Sequence, residues 1–148
     1  MKLKLILVVA SAIANLLTFG CVKSELSCAD LSKEFRNLPK ELKFQGCEPS
    51  KESQLRVLRS TYQVSGKNAL AIENFLVDKF DMSPLNFVCC GWESTTNADG
   101  RRHGTYTDHR GYYYELRMYS GEILIPEQLE REDVPYFYVE IIGFLEEP

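Results

Sequence analysis

Leu85-Asn86-Phe87-Val88-Cys89-Cys90-Gly91-Trp92 is an apolar run of strand length that carries two of the chain's five cysteines side by side. Successive side chains of a strand point to opposite faces, so Leu85, Phe87 and Cys89 are expected on one side of a sheet and Val88, Cys90 and Trp92 on the other. Neighbouring Cα atoms lie about 3.8 Å apart, below the usual ~4.4 to 6.8 Å of a disulfide, so the two thiols are expected to bond elsewhere. Cys28 and Cys47 are the natural partners. The reading pairs Cys28 with Cys89 through the helix-facing layer and Cys47 with Cys90 on the far side, each bond contributing roughly 2 to 4 kcal/mol. The Cys-x-x-Cys spacing that lowers a thiol pKa at a helix start is missing, which favours bracing over redox chemistry. A zinc site built from Cys28, Cys47, His103 and His109 lacks the close ligand pair that zinc sites use, and no cofactor motif is read.

Upstream of this stretch, Ser27 followed by Asp30 makes a capping-box start, and Cys28, Leu31, Phe35 and Leu38 recur at helical spacing until Pro39. Leu42 and Phe44 alternate with Lys43 and Gln45 as a half-buried strand, and Gly46-Cys47 suggests a bulge. A polar turn is expected over 48–53, then a strand over 54–64 rich in β-branched and aromatic residues. Ser65 to Asn68 opens a helix whose apolar stripe is Ala69, Ile72, Phe75, Leu76 and Phe80. Downstream, Asn97-Ala98-Asp99-Gly100 signals a turn and 101–111 reads as a polar loop. Tyr112, Tyr114, Leu116 and Met118 then alternate with Tyr113, Glu115, Arg117 and Tyr119. An acidic connection with a helical turn over 127–132 leads to a closing strand over 136–145. The order α-β-β-α-β-β-β predicts an α+β fold, a two-layer sandwich in which both helices cover one face of a mainly antiparallel sheet of about five strands.

With 148 residues, 45% of them hydrophobic, and no linker-like stretch, the composition fits one globular domain over 27–148. Lys2 and Lys4 ahead of the apolar run Leu5 to Leu17 predict a signal peptide over 1–20, followed by a short tether over 21–26. Removing those two lysines from the 17 basic residues leaves 15 against 21 acidic ones, a charge of −6 that argues against nucleic acid as a partner. Ala12-Ile13-Ala14 fits a small-x-small cleavage site; Gly20-Cys21 fits lipidation of Cys21. Cysteine parity favours the second, since a lipid-bearing Cys21 leaves an even set of four. The expected location is the periplasm, with anchoring to the outer membrane as a lipoprotein.

Seven of the eight tyrosines lie after residue 105. Tyr113, Tyr119, Tyr136 and Tyr138 share the expected outer face with Arg117 and Glu140, the composition of a surface that binds another protein. The competing functional reading is a small cell-envelope enzyme using the loop that holds His103, Asp108 and His109.

Gly46-Cys47, Tyr62-Gln63-Val64-Ser65-Gly66 before the helix, Cys89-Cys90-Gly91-Trp92-Glu93 and the closing Phe-Leu-Glu-Glu-Pro together resemble a family of small exported bacterial proteins known as a domain of unknown function, over about residues 40 to 148. The resemblance implies export and paired cysteines. It brings no activity and no assigned site residues.

Overall fold

The computed structural model describes residues 25–96, 98, 100–123 and 130–148. The leader over 1–20, Cys21 and most of the tether lie outside the described residues, as do Asn97 and Asp99 of the expected turn.

Helix α1 (Cys28–Glu34) starts at the expected capping box: Ser27 Oγ accepts from the Asp30 backbone N–H at 3.2 Å, and the Asp30 carboxylate accepts from the Ser27 N–H at 2.9 Å. Strand β1 (Lys43–Glu52) continues through the segment read as a polar turn and forms a hairpin with β2 (Leu55–Ser65). Pro49 is compatible with this because β1 is an edge strand, where a missing ladder donor is tolerated. The register does shift between Phe44 and Gly46, where a bulge was expected. Helix α2 (Gly66–Phe80) buries Ala69, Ile72 and Leu76 and stops at Asp81, whose φ of 59° takes the backbone out of the helix.

The cysteine-bearing stretch is not one strand. It folds back on itself as β3 (Leu85–Val88) and β4 (Gly91–Ser94), with Val88 opposite Gly91 and Cys89-Cys90 as the two-residue link. Strand β5 (Gly104–Thr107) occupies part of the segment read as a loop and pairs with β6 (Tyr113–Ser120). A 3-10 turn (Arg131–Asp133) precedes β7 (Tyr136–Phe144), and residues 127–129 of the expected helical turn lie outside the described residues.

All pairings are antiparallel, in the order β1-β2-β7-β6-β4-β3, with β5 beside β4 on the same edge of β6. Among the described residues the sheet therefore has seven strands rather than about five, because one expected strand splits and one expected loop pairs. The last strand lies between β2 and β6, where Phe137, Val139 and Ile141 are fully buried. Leu31 and Phe35 from α1 and Ile72 and Leu76 from α2 join these in one core with Tyr114, Leu116 and Met118 of β6. Among the described residues no helix is long and apolar enough to cross a membrane.

The split strand also overturns the expected disulfides. Cys28 is bonded to Cys47, with Cα atoms 5.8 Å apart, tying the start of α1 to β1; it is not bonded to Cys89. Cys47 is thereby unavailable to Cys90, which is bonded instead to its neighbour Cys89 across a Cα separation of 3.8 Å. The expectation assumed an extended backbone that sent the two sulfurs to opposite faces. A reversing backbone brings them together.

Candidate functional site

The face of the sheet turned away from the helices carries the residues the sequence marked. The pleat sends Tyr113, Glu115, Arg117 and Tyr119 of β6 outward while Tyr114, Leu116 and Met118 enter the core. On β7 the same alternation turns Tyr136, Tyr138 and Glu140 to this face, Tyr136 exposed and the other two half-buried. Register places Arg117 opposite Glu140 and Tyr119 opposite Tyr138, whose rings lie 5.8 Å apart.

Two residues not foreseen complete the centre of this face. Arg59 of β2 pairs with Glu140 at 2.5 Å and with Glu52 of β1 at 2.8 Å. Arg117 pairs with Glu52 at 2.9 Å and with Glu115 at 2.8 Å, and His103 Nδ1 lies 3.3 Å from Glu115. Since β1 is three positions from β6 in the sheet, the tip of the β1–β2 hairpin must curl over the outer face for Glu52 to reach Arg117. That curl half-buries the network and covers a small second core of Val57, Ile142 and Phe144, against which Tyr113 packs.

Hydrogen bonds and neighbouring charges set the titration of the carboxylates, with burial opposing. Glu115 is pulled down to about 2, chiefly by its hydrogen bond with His103 and, against the opposing effect of burial, by Arg117. Glu52 is lowered mainly by Arg117. The Tyr119 hydroxyl, which donates to Glu140 at 3.1 Å, is pushed up to about 12 by burial and by that carboxylate. Three carboxylates, Glu52, Glu115 and Glu140, meet two guanidinium groups at the centre of the face.

A depressed carboxylate stabilises the folded state above its unfolded pKa, and that contribution disappears as pH falls through the folded value. For Glu115 the window runs from the ordinary value of 4.5 down to about 2. Urea unfolding of the wild type between pH 6 and pH 3 should therefore show a loss from this site that Glu115→Gln does not show, of about 2 kcal/mol. Identical pH profiles for the two proteins would contradict the assignment.

The structure distributes the marked residues unevenly. Arg117, Tyr119, Tyr138 and Glu140 form the centre; Tyr113 lies at one end over the second core. Tyr136, 52% exposed, lies at the other end beside a cavity of about 360 Å³ lined also by Lys40, Lys43 and Asn68. Parity along β6 and β7 was enough to find the tyrosines. Glu52 sat in the presumed turn, and Arg59 in a strand whose inward set was ambiguous.

The histidine loop does not assemble into one site. His103 precedes β5 and His109 follows it, so the two lie at opposite ends of an extended strand, on the order of 20 Å of chain apart. Asp108, between β5 and His109, is fully buried and accepts hydrogen bonds from the Tyr112 N–H at 2.8 Å, the Tyr114 hydroxyl at 3.0 Å and the Arg110 N–H at 2.9 Å. Its carboxylate pins the loop.

The fold and its face define an α+β domain with a seven-stranded antiparallel sheet, one long-range disulfide and a wet tyrosine-bearing surface. The chain belongs to the family described as a domain of unknown function, DUF4952, whose profile matches residues 18–92. The match contains all five cysteines and ends at Trp92; the closing segment that also carried the resemblance lies beyond it. No curated protein and no solved structure matches the chain.

Proposed function

We propose that this is an exported, disulfide-tied protein-binding module that engages its partner non-enzymatically through the outer face of β6 and β7. Residence in the periplasm, with a lipid anchor at Cys21 holding it to the outer membrane, belongs to this reading. The observation that carries it is the composition of that face: an exposed Tyr136 and a half-buried Tyr138 stand beside a half-buried, mutually paired set of Glu52, Arg59, Arg117 and Glu140. Pre-ordered charges lose little freedom on binding, and tyrosines give large contact area at low entropic cost. Excess carboxylate at the centre suits a partner with a basic contact surface. An inhibitor or immunity-like protein that neutralises an incoming toxin has these requirements.

The test is affinity capture of the tagged full-length protein from cell envelopes of its native host, comparing wild type with Tyr136→Ala/Tyr138→Ala. A specific basic partner should be retained by the wild type and weakened by about tenfold or more in the variant, as for an interface centre. Undiminished capture by the variant removes the face from the account. Recovery of the protein from the cytosol with its leader intact removes the module from the envelope.

A further inference from the structure

Cys28 and Cys47 satisfy one another, which leaves Cys89 and Cys90 as a pair of their own on the β3–β4 hairpin. The Cys90 N–H donates to the Val88 carbonyl at 2.7 Å, closing a three-residue turn centred on Cys89, whose φ is 54°. A positive-φ turn tied from residue i to i+2 is rare and strained, and two-residue hairpin links that need a positive φ normally use Gly, Asn or Asp. A side chain held in this region is strained, and such outliers collect where strain serves function. The cysteine that bears it is also accessible: Cys89 is exposed and Cys90 half-buried.

The surroundings give the pair a place for a reactant. An open cavity of about 350 Å³ adjoins the two sulfurs and is lined by Trp92, Tyr119, Glu93 and Glu122. Its aromatic wall is fixed, because the Arg131 guanidinium lies 4.2 Å over the Trp92 ring and Phe87 meets the same ring edge-on at 5.8 Å. Arg131 is itself paired with the buried Glu73 of α2 at 2.9 Å. By contrast, both members of the Cys28–Cys47 bond pack against the main core, and no positive φ occurs at either.

We infer that Cys89 and Cys90 are a redox-active dithiol/disulfide site that exchanges electrons with small neutral or cationic thiols. In the reducing direction a thiolate attacks the exposed Cys89 sulfur. The new bond joins Cys89 to the incoming sulfur, the Cys89–Cys90 bond breaks, and the electron pair leaves on the Cys90 sulfur, which takes up a proton. A second thiolate then attacks the incoming group's sulfur and releases Cys89 as its thiolate, which is protonated. Two small thiols have become one disulfide, and the protein disulfide two thiols. The reverse sequence oxidises the protein at the expense of a small disulfide. Glu93 at the cavity is paired with Arg102, so Glu122 supplies the negative charge there that disfavours anionic reactants.

The test uses the full-length oxidised protein in cysteamine/cystamine buffers of graded ratio, with acid quenching, alkylation and peptide mapping. Cys89 and Cys90 should become alkylatable together at ratios where Cys28–Cys47 stays bonded, since exposed and strained disulfides are the more readily reduced. Fluorescence of Trp92, the only tryptophan, should change with the same midpoint. Glutathione, which is anionic, should reduce the pair about tenfold more slowly than cysteamine. Reduced Cys90→Ser given cystamine should accumulate a stable mixed disulfide on Cys89, where the wild type resolves it. Reduction of the pair only together with Cys28–Cys47, free Cys89 and Cys90 thiols in untreated protein, or no adduct on Cys90→Ser would each overturn the inference.

Discussion

Gly66→Ala is expected to destabilise the domain by about 4 kcal/mol, among the largest effects of any single methyl group in this chain. A Cβ at Gly66 would fall well inside contact distance of the Val134 and Arg131 carbonyl oxygens and 3.1 Å from that of Glu132. Those are backbone atoms, so no rotamer change relieves the collision. The 3-10 turn must lift from the start of α2, exposing Val134, now 3% accessible, and pulling Arg131 from Glu73. Breaking a buried ion pair is costly because the remaining charge stays desolvated. Urea denaturation measures the change, with Leu70→Ala, on the exposed side of the same helix, as a near-neutral control. A Gly66→Ala protein within about 1 kcal/mol of wild type, the range of ordinary surface substitutions, would mean the turn is not seated on α2.

Asp108→Ala should cost about 3 to 5 kcal/mol, because it strips the partner from several buried donors at once. Burial by itself would raise the Asp108 carboxyl, but hydrogen bonds from the Tyr112 N–H, the Tyr114 hydroxyl and Arg110 outweigh it and hold the group below the ordinary carboxylate range. The same carboxylate drives the Tyr114 hydroxyl upward, after burial. Arg110 reaches on to Asp30 at 3.3 Å, so the loop after β5 is latched to the first turn of α1 through this one acid. Asp108→Asn, which keeps one acceptor oxygen, should fall between wild type and Asp108→Ala in thermal midpoint. Equal midpoints for all three proteins would show that Asp108 does not hold the loop.

What the sequence revealed depended on whether a signal was local. Strands β6 and β7 were legible because Tyr112 to Tyr119 and Tyr136 to Ile141 alternate and one face of each is buried. Helix α2 was legible from its stripe, and α1 from its capping box. The hairpin at Cys89-Cys90 was not, since no Asn-Gly or Asp-Gly marks it and its backbone conformation is one that cysteine disfavours. Strand β5 has four residues between arginines and histidines, too few for a period to show, and it forms because β6 offers a free edge. The tyrosine face followed from parity alone. The Glu52–Arg117 contact that completes its centre depends on a hairpin curling across three strands, which no spacing along the chain records.

The division of the cysteines into a core-packed tie and an exposed vicinal pair underlies both the fold and the proposed chemistry. Proteolysis of the unreduced protein under acid conditions that block thiol exchange, followed by mass spectrometry of the linked peptides, reads that division directly. The account predicts one cross-linked species joining the Cys28 and Cys47 peptides, and one uncross-linked peptide holding Cys89 and Cys90 two hydrogens short of the dithiol mass. Peptides joined as Cys28 to Cys89 or Cys47 to Cys90 would contradict it.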